Sequence, residues 1–382
     1  MSVSYIPEHV KCRLWGKAAG LCEYAGCNHR LYLDALTKAE FNAAYIAHII
    51  ADKPRGPRGD PVLSHKLKAD ISNLMLMCDQ HHRLIDKVDV EGHPVHRLRD
   101  MKALHERRIQ NVTNIDADKE SHVLLYGANV GEHASPLTYE KAREAMAPEW
   151  FPADTAPITL GMFNSVLRDG SSNFWRVETN QLRAKFCQEV RSRLDSGGIR
   201  HLSVFAFAPP PLLMLLGYLL SDIPAAEVYQ LHREPQDWKW QGHPEDWGYI
   251  VQRPDDGVTG QPALVLALSA TITDDRIAAV LGEDTPIWRV TVPEPHNDFL
   301  KSRKQLRQFR EAIRLLMDEI KARHGEDVLL HVFPAAPVAI AVEMGRVIMP
   351  KADLRLSVYD QNRSRGGFVH ALDLPPTRGD QK

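Results

Sequence analysis

The chain has 382 residues, a formal net charge of −2, 44% hydrophobic and 25% charged residues, the profile of an ordinary globular protein with room for two or three cores. So small a net charge excludes holding nucleic acid by bulk positive charge alone, and no uninterrupted apolar run reaches the roughly 18 residues of a membrane span. No apolar stretch near the N-terminus reads as a signal peptide, so a cytoplasmic protein with no membrane partner is expected.

Residues 1–20 carry Val10, Leu14 and Trp15 at helical spacing and predict a short helix. Cys22-x4-Cys27 reads as a knuckle, 45–50 as a β-branched-rich strand, the Pro/Gly-rich stretch 53–60 as a loop and 73–78 as a second strand. Asp79 caps a helix running to Lys87, and an amphipathic helix over 98–111 closes this first module. The periodicity weakens over 116–155, where Gly127, Gly131, Pro136, Pro148 and Pro152 predict a linker and domain entry. Beyond it, helices are expected over 178–195, from 209 to 220, over 274–281, 298–324 and 338–347. Strands are expected over 201–208, 226–230, 262–270, 328–333 and 354–359, with the Trp-rich stretch 235–255 as loop. Such alternation predicts α/β units with mostly parallel sheets. The chain thus divides into a head (1–115), a linker (116–155) and a body (156–382).

The body contains an internal echo. Two apolar strands run into proline corners, 208–211 and 333–337, and each is followed by an apolar helix. Pro209 and Pro337, like Gly217 and Gly345, stand 128 residues apart. Two Rossmann-like halves within one domain are the natural reading.

Four of the five cysteines and nine of the 18 histidines lie in residues 1–111, together with 17 of the 47 basic but only 13 of the 49 acidic residues. A mildly basic, Cys/His-rich head on an acidic body suits two domains with different partners. Clustered cysteines in a reducing compartment point to metal rather than disulfides. Cys22, Cys27, Cys78 and His81 make a thiolate–imidazole set suited to a structural Zn²⁺, and so small a module gains from such a staple. His82 is the other residue in reach, although Cys-x2-His favours His81.

Interleaved with that set stand His48 on a strand, Asn73 at the start of the next, and His82 and Asp86 one helical turn apart. The pattern Ala47-His48-Ile49, Asn73 to Cys78 and His81-His82 resembles the HNH (ββα-metal) nuclease family. The resemblance implies an α+β head in which His48 is the general base, with His82, Asp86 and Asn73 around a catalytic Mg²⁺ or Mn²⁺. Asn73 would either orient the base or bind the ion. Family members often carry Asp or His where this chain has Ala47, so Asp52 is a further candidate ligand. Arg55 and Arg58, in the Pro/Gly loop, would contact DNA phosphates.

In the body, His331 to Arg346 with Val358 to Asn362 resembles the SAVED domain, a fused pair of CARF-like folds that senses cyclic oligonucleotides. Head and body together resemble the HNH–SAVED effectors of CBASS anti-phage immunity. This implies a metal-dependent double-stranded DNA endonuclease, activated when a cyclic di- or trinucleotide binds between the body's halves and drives homo-oligomerisation, from dimer to tetramer. Trp175, Trp238, Trp240, Phe333, Pro334, Arg346 and Asn362 are the expected ligand contacts, aromatic faces being suited to stacking on bases. Two other readings stand beside it: a restriction-like HNH nuclease whose body reads modified DNA, and a non-catalytic, zinc-stapled DNA-binding sensor.

Overall fold

A computed structural model describes residues 5–113, 116–129, 137–161, 171, 173–244, 247–349, 352–362 and 366–375. Its contacts separate two units, Met1–Ala117 and Asp118–Lys382.

In the first unit, helix α1 (Glu8–Ala18) sets Val10, Leu14 and Ala18 on one buried face. It stops where Ala19 and Gly20 both turn to positive φ, 51° and 65°, a left-handed ending for which glycine is suited. Strand β1 (Tyr45–His48) is followed by the single-turn helix α2 (Leu63–Lys66) and then by β2 (Leu74–Met77), which is buried along its whole length. β1 and β2 pair antiparallel with His48 opposite Leu74. One residue later α3 (Asp79–Arg83) begins and continues through the wide turn Leu84–Val88. The last helix, α4 (Val95–Thr113), lays Leu98 and Met101 on a small core formed with Leu14, Leu31, Ile49 and Leu76.

The second unit opens with β3 (Glu120–Gly127), inside the stretch expected to be a linker. That expectation is corrected. β3 pairs in parallel with β4 (Phe151–Pro152) and β5 (Ile158–Thr159), and with β6 (Leu202–Phe207). The order is β4-β3-β6-β7, where β7 (Ala226–Val228) is also parallel. Its helices are α5 (Tyr139–Met146), α6 (Phe174–Phe186), the short α7 (Ser192–Asp195) and α8 (Pro210–Leu220). α8 is buried almost all round, as a helix without a polar face must be.

A six-stranded sheet follows in the order β13-β12-β11-β9-β10-β8. Its strands are β8 (Ile250–Gln252), β9 (Ala263–Ala267), β10 (Ile287–Thr291), β11 (Leu329–Ala335), β12 (Arg355–Asn362) and β13 (Gly367–Leu374). The interior pairs are parallel, whereas β8 and β13 join the edges antiparallel. β10 and β13 were not expected: β10 alternates buried and half-buried residues in a short run, and β13 is an edge strand of mixed polarity. The helices are α9 (Asp274–Leu281), α10 (Arg303–His324) and α11 (Val338–Arg346). A Ser302–Gln305 capping box fixes the start of α10.

The internal echo is a packing symmetry. A Cβ on Gly217 would lie 1.9 Å from the Val342 carbonyl oxygen and 2.9 Å from the Arg346 nitrogen. One on Gly345 would lie 1.9 Å from the Met214 carbonyl oxygen and 2.7 Å from the Tyr218 nitrogen. Each contact becomes the other when 128 is added to the first-half residue, so α8 and α11 cross backbone to backbone as equivalents. No helix among the described residues is long and apolar enough to cross a membrane.

Candidate metal centre and binding cavity

Cys22 and Cys27 lie on the loop after α1, Cys78 stands between β2 and α3, and His81 sits on α3. Their ligand atoms all lie within 4.8 Å of one another. His81 Nδ1 is 3.2 Å from Cys78 Sγ and 3.8 Å from Cys22 Sγ. Tyr24 stacks on the His81 ring with centroids 4.1 Å apart, and its hydroxyl meets His93 Nε2 at 3.0 Å. Burial pushes the Cys22 thiol up to about 12, raises Cys27, and lowers the His81 imidazole. Cys22 is the buried member of the set, and a thiol placed so deeply needs a neighbouring cation to ionise. Three sulfurs and one neutral imidazole nitrogen at this spacing fit a tetrahedral soft dication. His81 therefore belongs to this cluster, and His82 faces elsewhere.

His48 is 6% exposed, with Nε2 2.9 Å from the Lys68 carbonyl oxygen. A carbonyl only accepts, so Nε2 is the donor here, and Nδ1 is the nitrogen left to act as a base. Asn73 secures the backbone two residues on: its Oδ1 accepts from Ile50 N at 2.9 Å, while Nδ2 donates to the carbonyls of Ile50 and Leu67. With oxygen and amide both engaged, Asn73 holds the backbone just beyond the base strand, the first of the two roles expected of it.

Arg58, expected on DNA phosphate, is instead 5% exposed at its side chain. It donates to the carbonyls of Ile49 and Ile85 at 2.7 Å each and to Asp86 Oδ1 at 2.6 Å. It thus ties the end of β1 to the helical segment that follows β2. The pairing leaves Asp86 Oδ2, which lies 3.4 Å from His82 Nε2. These two atoms converge, as the one-turn spacing implied. The Tyr45 ring stacks on His82 at 5.0 Å, and burial lowers the His82 pKa, favouring the neutral, ligating form. Ala47 shares Tyr45's face of β1 by strand alternation and presents only a buried methyl. Arg55 is exposed and makes no ion pair among the described residues.

In the body, four expected ligand contacts are corrected. Trp238 is 1% exposed and packs edge-on to Phe205. Phe333 is buried against Tyr359, and Pro334 lies inside β11 opposite Leu266. Arg346 is buried, bonded to Glu343 at 2.7 Å and to the carbonyls of Ser221, Pro224 and Ala226. Aromatic residues and proline after a strand suit stacking on a ligand, but here they fill cores. Trp175 packs half-buried on Phe174, and Asn362 ends β12 opposite Gly367.

Trp240 differs from these. It lines a cavity of about 410 Å³ with His201, Glu227, Arg303, Arg307 and Glu343. Arg303 bonds to Glu227 and Glu149. The His201 ring stacks on Trp150 at 3.6 Å, its Nδ1 meets Ser121 Oγ at 2.8 Å, and burial pushes its pKa down to about 4. These partners were not among the expected contacts. Their signal was the i, i+4, i+7 spacing of Arg303, Arg307 and Arg310, which sets three guanidinium groups on one side of α10.

The family described as "SMODS-associated and fused to various effectors sensor domain", SAVED, matches residues 182–374, half of the chain. The chain belongs to the SAVED family. The SAVED match takes in both strand–proline–helix repeats. Among solved structures, the Acinetobacter baumannii Cap4 SAVED/CARF-domain containing receptor with the cyclic trinucleotide 2'3'3'-cAAA is similar at 14% identity and a TM-score of 0.43, over 78% of this chain and 60% of that one. The Moraxella osloensis Cap4 SAVED/CARF-domain containing receptor is similar at 14% identity and a TM-score of 0.39, over 78% and 58%. The chain thus spans about 60% of the length of these receptors. Comparison with curated proteins gives no match.

Proposed function

We propose that this SAVED protein is a metal-dependent DNA endonuclease of anti-phage defence, switched on by a cyclic oligonucleotide that its body senses. The observation that carries the nuclease reading is His48: a buried imidazole whose Nε2 is tied to the Lys68 carbonyl, leaving Nδ1 as the base, in the same unit as the converging His82 and Asp86. Cys22, Cys27, Cys78 and His81 hold a structural Zn²⁺, and His82 Nε2 with Asp86 Oδ2 would hold Mg²⁺ or Mn²⁺. Bound there, the divalent ion supplies charge stabilisation at the scissile phosphate. His48 Nδ1 takes a proton from water as its oxygen attacks phosphorus, the bond from phosphorus to the departing sugar oxygen breaks, and that oxygen takes up a proton from solvent. Asn73 and Arg58 hold the backbone on which this geometry depends. The family match and the Cap4 receptors' cyclic trinucleotides support the sensor reading. Activation requires that the ligand bind the assembled, cutting state better than the idle one, so ligand-driven oligomerisation is part of the proposal.

Plasmid cleavage in Mg²⁺ or Mn²⁺, with and without cyclic di- and trinucleotides, tests it. Cutting that appears only with one of them supports the gated nuclease. Cutting without any turns the body into a reader of DNA. No cutting in either metal, with zinc bound, favours a zinc-stapled DNA binder, a reading to which the methyl of Ala47 gives weight.

A further inference from the structure

The Pro/Gly loop between β1 and α2 is wound around one buried cation. Two tight turns follow one another, Gly56 N donating to the Lys53 carbonyl and Gly59 N to the Gly56 carbonyl, each at 2.9 Å. A Cβ on Gly59 would lie 2.4 Å from the Pro54 carbonyl oxygen, so a side chain there would block the second turn. Between the two glycines Arg58 takes a φ of 54°, a left-handed conformation that residues with a Cβ rarely adopt. Its side chain runs inward. Nε and Nη1 donate to the Ile49 and Ile85 carbonyls, while Nη2 reaches Asp86 Oδ1 at 2.6 Å and the His48 carbonyl at 3.4 Å. One planar group, held at three corners, thus touches the backbone of the base residue and the carboxylate that converges with His82. Tying two segments together needs only the carbonyls. The bond to Asp86 does something more, because it takes one of the two carboxylate oxygens.

We propose that Arg58 is the positioning residue of the divalent-ion site: it holds Asp86 Oδ1 so that Oδ2 alone is offered beside His82 Nε2, which selects a small octahedral ion over Ca²⁺. The inference rests on the metal-dependent reading above. Oδ2 and Nε2 stand 3.4 Å apart, and the Tyr45 ring stacked on His82 steadies the second ligand as Arg58 steadies the first. A bidentate carboxylate, common around Ca²⁺ with its roughly six to eight oxygen ligands, needs Oδ1 as well. To free that oxygen, a buried guanidinium must give up its carboxylate partner. Mg²⁺ and Mn²⁺ accept a single oxygen from such a carboxylate and keep other positions for water and phosphate. An imidazole nitrogen further favours Mn²⁺ over Ca²⁺.

Mn²⁺ binding to the zinc-loaded full chain, read from the EPR signal of the free ion and repeated with Ca²⁺ as competitor, tests the assignment. The wild type should bind Mn²⁺ at a site that Asp86→Asn removes, with Ca²⁺ displacing it only at about tenfold higher concentration or more. Arg58→Gln and Arg58→Lys lack the planar fork that spans both carbonyls and Oδ1. In both, the Mn²⁺ Kd should rise about tenfold while that of Ca²⁺ holds or falls, so the preference for Mn²⁺ disappears. A purely structural role weakens both ions alike. An unaltered ratio of the two Kd values in variants that keep their zinc overturns the inference and leaves the metal site standing. Should both variants lose zinc, the wild type decides: Ca²⁺ bound as tightly as Mn²⁺ overturns the inference, and Ca²⁺ kept out supports it. Mn²⁺ binding that Asp86→Asn leaves unchanged overturns the metal site on which the inference rests.

Discussion

Replacing Gly345 by alanine tests the idea that the two body halves meet backbone to backbone. The new Cβ would lie 1.9 Å from the Met214 carbonyl oxygen, where real contacts essentially never fall below 3.0 Å. Neither atom sits at the end of a flexible side chain, so α8 and α11 must part by about 1 Å in a close-packed interior. Overpacking of this kind costs roughly 1–3 kcal/mol, and alanine's better helix propensity returns up to about 1 kcal/mol. A net loss of about 1–2 kcal/mol corresponds to a fall of roughly 2–8 °C in Tm for a unit of this size. Six of the seven tryptophans lie beyond residue 117, so intrinsic fluorescence in a urea or thermal titration reads the body. Gly217→Ala should cost a similar amount, and the double variant less than the sum, because the helices are already parted. Gly16→Ala is the control: nothing lies within 4 Å of its added Cβ, so it should stabilise α1 slightly. A Gly345→Ala protein as stable as the wild type, or more so, would refute the close crossing.

Cys78→Ser should release bound zinc, measured by elemental analysis, and abolish the head's cooperative unfolding while the fluorescence-detected body transition persists. Arg58→Ala should destabilise the head by about 3 kcal/mol, because Asp86 and two carbonyls lose a buried partner, whereas Arg55→Ala should leave stability unchanged and weaken DNA binding with a shallower salt dependence; equal behaviour of the two variants would contradict the internal role of Arg58. His201 has its pKa lowered from 6.5 to about 4, so between those values the unfolded chain binds more protons than the folded one. Its share of stability is therefore complete above pH 6.5 and is lost as pH falls towards 4. Urea titrations at several pH values should show this acid limb flattened in His201→Gln, and an unchanged limb counts against the assignment.

Much of this architecture was legible in the residues. Spacing alone brought Cys22, Cys27, Cys78 and His81 together, and the one-turn separation of His82 and Asp86 set their side chains converging. The 128-residue echo marked Gly217 and Gly345, whose missing side chains are what let α8 and α11 cross. Three kinds of feature were hidden. β3 is a short apolar run among turn residues, and only its parallel neighbours make it a strand. Arg58 reads as a loop cation until folding carries it under Ile49 and Asp86. Trp238 and Phe333 carry the same aromatic signal as Trp240, and burial, a property of the whole fold, separates them. The cavity depends on α10 meeting β7, a pairing that no local pattern encodes.

Plasmid DNA incubated with the wild type and with His48→Ala, in Mg²⁺ or Mn²⁺, across cyclic di- and trinucleotides, reads the base and the gate together. The wild type should cut only when one ligand is present, and His48→Ala should not cut while binding that ligand with unchanged Kd. Cleavage by His48→Ala at the wild-type rate would contradict the assigned base, and wild-type cleavage indifferent to every ligand would contradict the gating.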